Sequence, residues 1–199
     1  MTYYLPDEAR SSDAAAVLRF WFGEPPEYGT QLKRWFEKDP SFDAAVRAQF
    51  LPLYERLSAE GALEWLRPRA DCLARIIVLD QFPRQMFRGA GRAFAADALA
   101  LSTARYALGE GYDRGLLPVE RLFLYLPLEH SEALADQDRS CELNEPLTAF
   151  PETGDIYRYA LAHRDIVRRF GRFPHRNAAL GRTSTAEEIE FLRQPGSSF

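Results

Sequence analysis

Each of the three histidines sits in a polar stretch suited to proton or anion chemistry. His163 and His175 lie in HRDIVRRFGRFPHRNAALGRTST, residues 163–185. From Arg158 to Arg182 this region holds seven arginines against one acid, Asp165, on a chain of formal net charge −4. His130 stands between Glu129 and Glu132 in PLEHSE. Histidine titrates near neutral pH, and a neighbouring carboxylate raises its pKa. The catalytic candidates are therefore His130 and His175 as acid or base, with Glu129 or Glu132 orienting them. Arginine offers a planar fork that grips a carboxylate or phosphate with two bonds, which lysine cannot imitate. Of 25 basic residues only Lys33 and Lys38 are lysines; GC-rich codon usage explains that bias equally well. The candidate ligand-binding residues are Arg84, Arg88, His163, Arg172, Arg176, Asn177 and Arg182.

Two segments echo each other: Phe82-Pro83-Arg84, and Phe173-Pro174-His175 with Arg176. In each a helix is expected to end before Phe-Pro, with the proline starting a new helical turn. Positive charge in a first turn faces the positive end of the helix dipole and costs about 0.3–1 kcal/mol per charge. Either acids from elsewhere pair with these groups, or they hold an anionic ligand together with free backbone N–H groups. Both readings stay open on sequence alone. The acids at 129 and 132 have a bland reading too, because carboxylates stabilise a helix start.

Other chemistries find little support. No HExxH is present, and the residues three before each histidine are Pro127, Ala160 and Arg172, so Glu-x-x-His is absent. No metal and no cofactor is expected. There is no GxSxG or Walker A motif, and Gly89-Ala-Gly91 follows a helix, so it reads as a turn. Cys72 and Cys141 lack CxxC spacing and read as reduced thiols, Cys72 in the core. Outside residues 158–182 the chain is acidic, which argues against nucleic acid as a partner. The apolar runs are too short to span a bilayer and the start lacks a signal-peptide pattern, so no membrane partner is expected and the cytoplasm is the default. The possible partner is a small anionic ligand or an acidic peptide.

The elements that must position these residues all show helical periodicity, with no sustained alternation. Asp13 is expected to cap a helix stopped by Gly23, and a short turn carries Leu32, Trp35 and Phe36. Pro40 opens a helix kinked by Pro52 and ended by Gly61. The segment from about Ala70 to Gln81 is apolar on nearly all sides and belongs in the core, stopping at Phe82-Pro83. Further helices are expected from Arg92 to Leu108, from Pro118 to Leu126-Pro127, from Glu129 to Glu142 and from Asp155 through Phe170. A capping box at Ser184-Thr-Ala-Glu187 starts the last. The expectation is roughly eight to ten helices and no sheet, in a single all-α domain over 1–199, with 1–12 as a less ordered arm. The loop 146–154 is the best linker candidate.

LRFWFG at 18–23, WF at 35–36, LDQFPRQMFRG at 79–89, YLPLEHSE at 125–132 and the stretch at 163–185 resemble the bacterial family called domain of unknown function 924. The match covers nearly the whole chain. Gln85 stands where a common family version has Asn. The resemblance implies an α-α superhelix similar to tetratricopeptide-repeat proteins, and it implies no activity. Three functions therefore compete: a module binding a small anion, an enzyme using the same pocket for His/Glu acid–base chemistry, and an ion-pair network that only holds the helices together.

Overall fold

The computed structural model describes residues 3–30, 33–59 and 62–198. Helices are present among them and strands are not. The α-helices are α1 (Ser12–Phe22), α2 (Pro40–Ser58), α3 (Arg69–Ile76), α4 (Phe82–Met86), α5 (Asp97–Gly109), α6 (Pro118–Glu129), α7 (Leu134–Asn144), α8 (Ile156–Phe170) and α9 (Ala186–Leu192). A π-helical segment, Ile77–Gln81, joins α3 to α4 without a break, which leaves eight continuous helices among the described residues. The turn residue Leu32 and the helix stop at Gly61 lie outside the described residues.

Caps differ from the expectation by one or two positions. Ser11, not Asp13, caps α1 by accepting from the Ala14 N–H. Asp155 precedes α8 without a side-chain bond, and the last capping box is Thr185 with Glu188. Pro40 does open α2, and Asp39 caps it through the Ser41 and Phe42 N–H groups. The arm at 1–12 carries a 3-10 turn, Leu5–Glu8, with Leu5 fully buried. The 146–154 loop is folded into two 3-10 turns, with Leu147 and Thr153 buried.

Two expected helix stops fail, and both failures shape the site. At Phe82-Pro83 the chain widens into the π segment, where the Phe82 N–H bonds to the Ile77 carbonyl five residues back. A wider turn lets the helix run on into a proline that an α-helix would reject for its ring and its missing donor. At Pro127 the helix also continues, to Glu129. Every residue from Leu122 to Glu129 is buried, and that burial outweighs the single backbone bond that proline removes. Glu129 and His130 therefore sit at the end of a helix, at its negative pole, rather than at a start.

One hydrophobic cluster draws on residues from Leu5 to Ile156, with the aromatic rings of Trp21, Phe22, Trp35, Phe82 and Phe123 packed edge to face or tilted within it. The nearly all-apolar α3 and π segment run through it as expected, and Cys72 is buried there. Around this core α5 packs on α6, α6 on α7 and α7 on α8, while α1 packs on α3 and α2 on α4. Neighbour-on-neighbour stacking of this kind is consistent with a helical superhelix. Asp138 of α7 lies 3.8 and 3.7 Å from Arg164 and Arg168 near the far end of α8, and the turn after α7 packs on α8 again. So α7 runs against both neighbours, and α6 and α8 run in the same sense.

Candidate functional site

The residues singled out above come from three stretches, and seven of them meet around one cavity of about 660 Å³. Arg84 and Arg88 come from α4 and its end, Glu129 and His130 from the end of α6. His163 comes from α8, and His175 and Arg176 from the 3-10 turn Pro174–Arg176. Gln81, Gln85, Trp35, Phe36, Phe94 and Tyr159 join the wall. A Cβ on Gly91 would meet the Ala179 carbonyl oxygen at 2.8 Å. Glycine there lets the Gly91–Phe94 turn come close to the segment that carries Arg176.

At the centre is a residue that the sequence reading passed over. Asp80 is completely buried in the π segment, and its Oδ1 lies 2.8 Å from His130 Nδ1 and 3.4 Å from Arg84 Nη1. Gln81 Nε2 donates to its Oδ2 at 2.5 Å. Arg84 also donates to the Asp80 carbonyl and, through both Nη atoms, to Asp97 at 3.1 Å. Burial alone would raise the Asp80 pKa, but Arg84, His130 and Gln81 together hold it well below the usual carboxylate range. A carboxylate can only accept, so His130 Nδ1 carries the hydrogen and Nε2 the lone pair. Burial and then the Arg84 charge depress the His130 pKa against the pull of Asp80. The ring is thus neutral and oriented by a carboxylate, with a basic nitrogen available.

A second pair lies beside it. His163 Nδ1 is 3.1 Å from Glu129 Oε1 and 2.8 Å from the Tyr159 carbonyl, and its ring centre is 6.2 Å from that of His130. Burial, and then the Asp80 charge, raise the Glu129 pKa to about 8. Burial and the neighbouring His130 lower His163 to about 3. Glu129 is therefore a neutral acid at pH 7, in the field of a charged Asp80. His175 is lowered to about 4 by burial and by Arg176.

The Arg176 guanidinium lies over two rings, its Cζ 4.8 Å from the centre of Phe94 and 4.4 Å from that of Phe173. Its Nη1 reaches the His130 carbonyl at 3.0 Å and Asp97 Oδ2 at 3.4 Å. Both of its hydrogen bonds leave from Nη1, and its buried Nε has no partner. Two other candidate arginines grip a carboxylate with that Nε–Nη2 edge, while Arg84 and Arg182 use both Nη atoms. Arg88 uses it on Asp43 at 2.6 and 2.8 Å, and Arg172 uses it on Glu188 at 2.6 and 2.8 Å. Burial, and then repulsion from Arg84, lower the Arg176 pKa to about 10 against the pull of Asp97, Glu132 and Asp80, so the guanidinium remains a cation at neutral pH.

The other candidates stand apart from this cavity. Arg182 grips Glu132 with two bonds, at 2.7 and 3.0 Å, and Glu132 also accepts from the Phe173 N–H at 2.8 Å. Arg172 and Asn177 are bonded to Glu188, tying the turn after α8 to α9. Glu132 does not orient His130; it lines a smaller cavity of about 340 Å³ on the other side of His130, Phe94 and Arg176. Among the described residues no group of three or more His, Cys, Asp or Glu side chains is arranged to hold a metal ion, and no helix is long and apolar enough to cross a membrane.

Comparison with known proteins gives a family and no activity. The model of the bacterial protein family of unknown function DUF924 matches residues 17–196, and the chain belongs to that family. No curated protein matches it. The chain is similar to a solved protein of unknown function from Agrobacterium tumefaciens, 39% identical with a TM-score of 0.79, over 90% of this chain and 96% of that one.

Proposed function

We propose that the protein binds a small molecule bearing a carboxylate or phosphate in the 660 Å³ cavity. The observation that carries the reading is the uncommitted Nε edge of Arg176, a buried cation in the cavity wall whose sisters Arg88 and Arg172 use that edge on carboxylates. Packing over Phe94 and Phe173 fixes the guanidinium in advance, so little side-chain entropy is lost on binding. Arg84 and Arg88, each bidentate on an aspartate, set the field around it rather than serving as the grip.

The test is a thermal-shift titration with carboxylates and phosphates. A ligand at 100 times its Kd should stabilise the wild type by about 2.7 kcal/mol. Arg176→Lys keeps the charge but loses the fork, and should lose at least a factor of ten in affinity. An Arg176→Lys protein that gains as much melting temperature as the wild type removes the fork from the reading.

A second reading, acid–base catalysis on the bound anion, draws on the 2.8 Å Asp80–His130 pair. A carboxylate that fixes the tautomer of a neutral imidazole equips Nε2 as a general base. Neutral Glu129 supplies an acid nearby, two carboxyls driven to opposite states by their surroundings. In that reading His130→Asn binds the anion as the wild type does and turns nothing over.

A further inference from the structure

We infer that the ligand is an amphipathic monocarboxylate, with its head on Arg176 and an aliphatic or aryl body lying between the first turns of α6 and α8. This rests on the anion-binding reading and narrows it to one class of molecule.

The cavity is polar at one end and apolar at the other, and two helices draw the same gradient. Along α6 the lining residues run Leu122, Leu126, then Glu129 and His130; along α8 they run Ile156, Tyr159, then His163. Because α6 and α8 run in the same sense and meet at the 3.1 Å contact of Glu129 with His163, their apolar ends coincide. Each gradient spans seven residues, about 10 Å along a helix. That length suits a medium-chain acyl group or an aryl ring on a short spacer, not a bare ion. Trp35 and Phe36 close the apolar end, their rings 4.8 and 6.5 Å from Phe123 on the first turns of α6. Phe36 and Tyr159 are 58% and 46% exposed, although both line the cavity. Two large exposed rings at the mouth of a cavity are what an apolar ligand body would cover.

Charge selects the head. Arg84 and Arg88 are matched by Asp97 and Asp43, and Arg176 only shares Asp97, at 3.4 Å. With ionised Asp80 also beside Arg84, three guanidiniums face three carboxylates, and one planar edge on a cluster of no net charge fits a monoanion with two coplanar oxygens. A phosphate dianion would bring a second charge towards Asp80 and Asp97 with no further cation to meet it.

The experiment is calorimetric titration of the full chain with acetate, butyrate, hexanoate, phosphate and hexanol, repeated on Phe36→Ser and Arg176→Lys. Affinity should rise about fourfold per methylene from acetate to hexanoate. Phe36→Ser, which alters an exposed residue and so threatens the fold little, should flatten that rise. Hexanol should bind far more weakly than hexanoate. If acetate and phosphate bind through Arg176 and hexanoate binds no tighter than acetate, the amphipathic ligand is overturned and the anion site stands. If hexanol equals hexanoate and Arg176→Lys changes neither, the anion site itself falls. Phosphate binding more tightly than every carboxylate also overturns the inference.

Discussion

Asp80→Ala is expected to lower the stability of the fold by about 3–5 kcal/mol, read from urea unfolding near pH 7. The side chain is fully buried and satisfies three groups at once, Arg84, His130 and Gln81. Its removal leaves Arg84 with Asp97 as its remaining carboxylate and strands the His130 Nδ1–H and the Gln81 amide, and buried unpaired donors cost more than the net worth of the bonds they lose. The pH profile makes the test specific. The folded-state pKa of Asp80 lies below its unfolded value, so its contribution is present above the ordinary carboxylate pKa and is lost as pH falls through the folded value. The variant's stability should therefore decline less than the wild type's in acid. A loss under about 1 kcal/mol at pH 7 would mean that the cluster does not hold the π segment in place, because so small a change is ordinary even for exposed pairs.

Asp80 also shows where the sequence stopped being legible. It directly follows the apolar run Ile76 to Leu79, one of several polar positions in the expected core helix, and nothing local sets it apart. The π turn, Arg84 four residues on and His130 fifty residues on turn it into the hub. Asp97, the other acid that claims Arg84, belongs to α5 and has no sequence signal at all. What was legible was local: helical periodicity, the proline opening α2, and a concentration of histidine and arginine in three stretches, seven of whose candidate site residues line one cavity. The basic run illustrates the limit. Arg172, Arg176 and Arg182 are chemically identical, and only the packing gives Glu188 to the first and Glu132 to the last and leaves the Arg176 edge without a partner. The prolines at 83 and 127 misled for one physical reason. Local propensity is worth a few kcal/mol, and a turn as deeply buried as these recovers more than that from packing.

Glu129→Gln is expected to abolish the alkaline loss of stability that Glu129 causes. Glu129 keeps its proton to about pH 8, well above its ordinary value, because burial and the nearby charge of Asp80 both oppose ionisation. Between the ordinary carboxylate pKa and about 8 the folded chain binds this proton and the unfolded chain has lost it. The Glu129 contribution to stability therefore falls with rising pH across that window, by up to roughly 5 kcal/mol. The amide introduced by the substitution has no proton to lose, so the difference between wild type and variant, in which the titration of the three buried histidines cancels, should move in favour of the variant across the window and leave it the more stable at pH 9, as measured by chemical denaturation at each pH. That amide still donates in the cavity wall as the neutral acid does, so anion binding at pH 7 should survive. Wild-type binding should weaken above pH 8, where ionised Glu129 would face the ligand, while the variant's should hold. A wild-type-minus-variant difference that is level from pH 5 to pH 8 would place Glu129 among ordinary ionised carboxylates. Asp80 charged and Glu129 neutral would then cease to be a pair, and with that pair would go the proton donor on which the catalytic reading of the cavity depends.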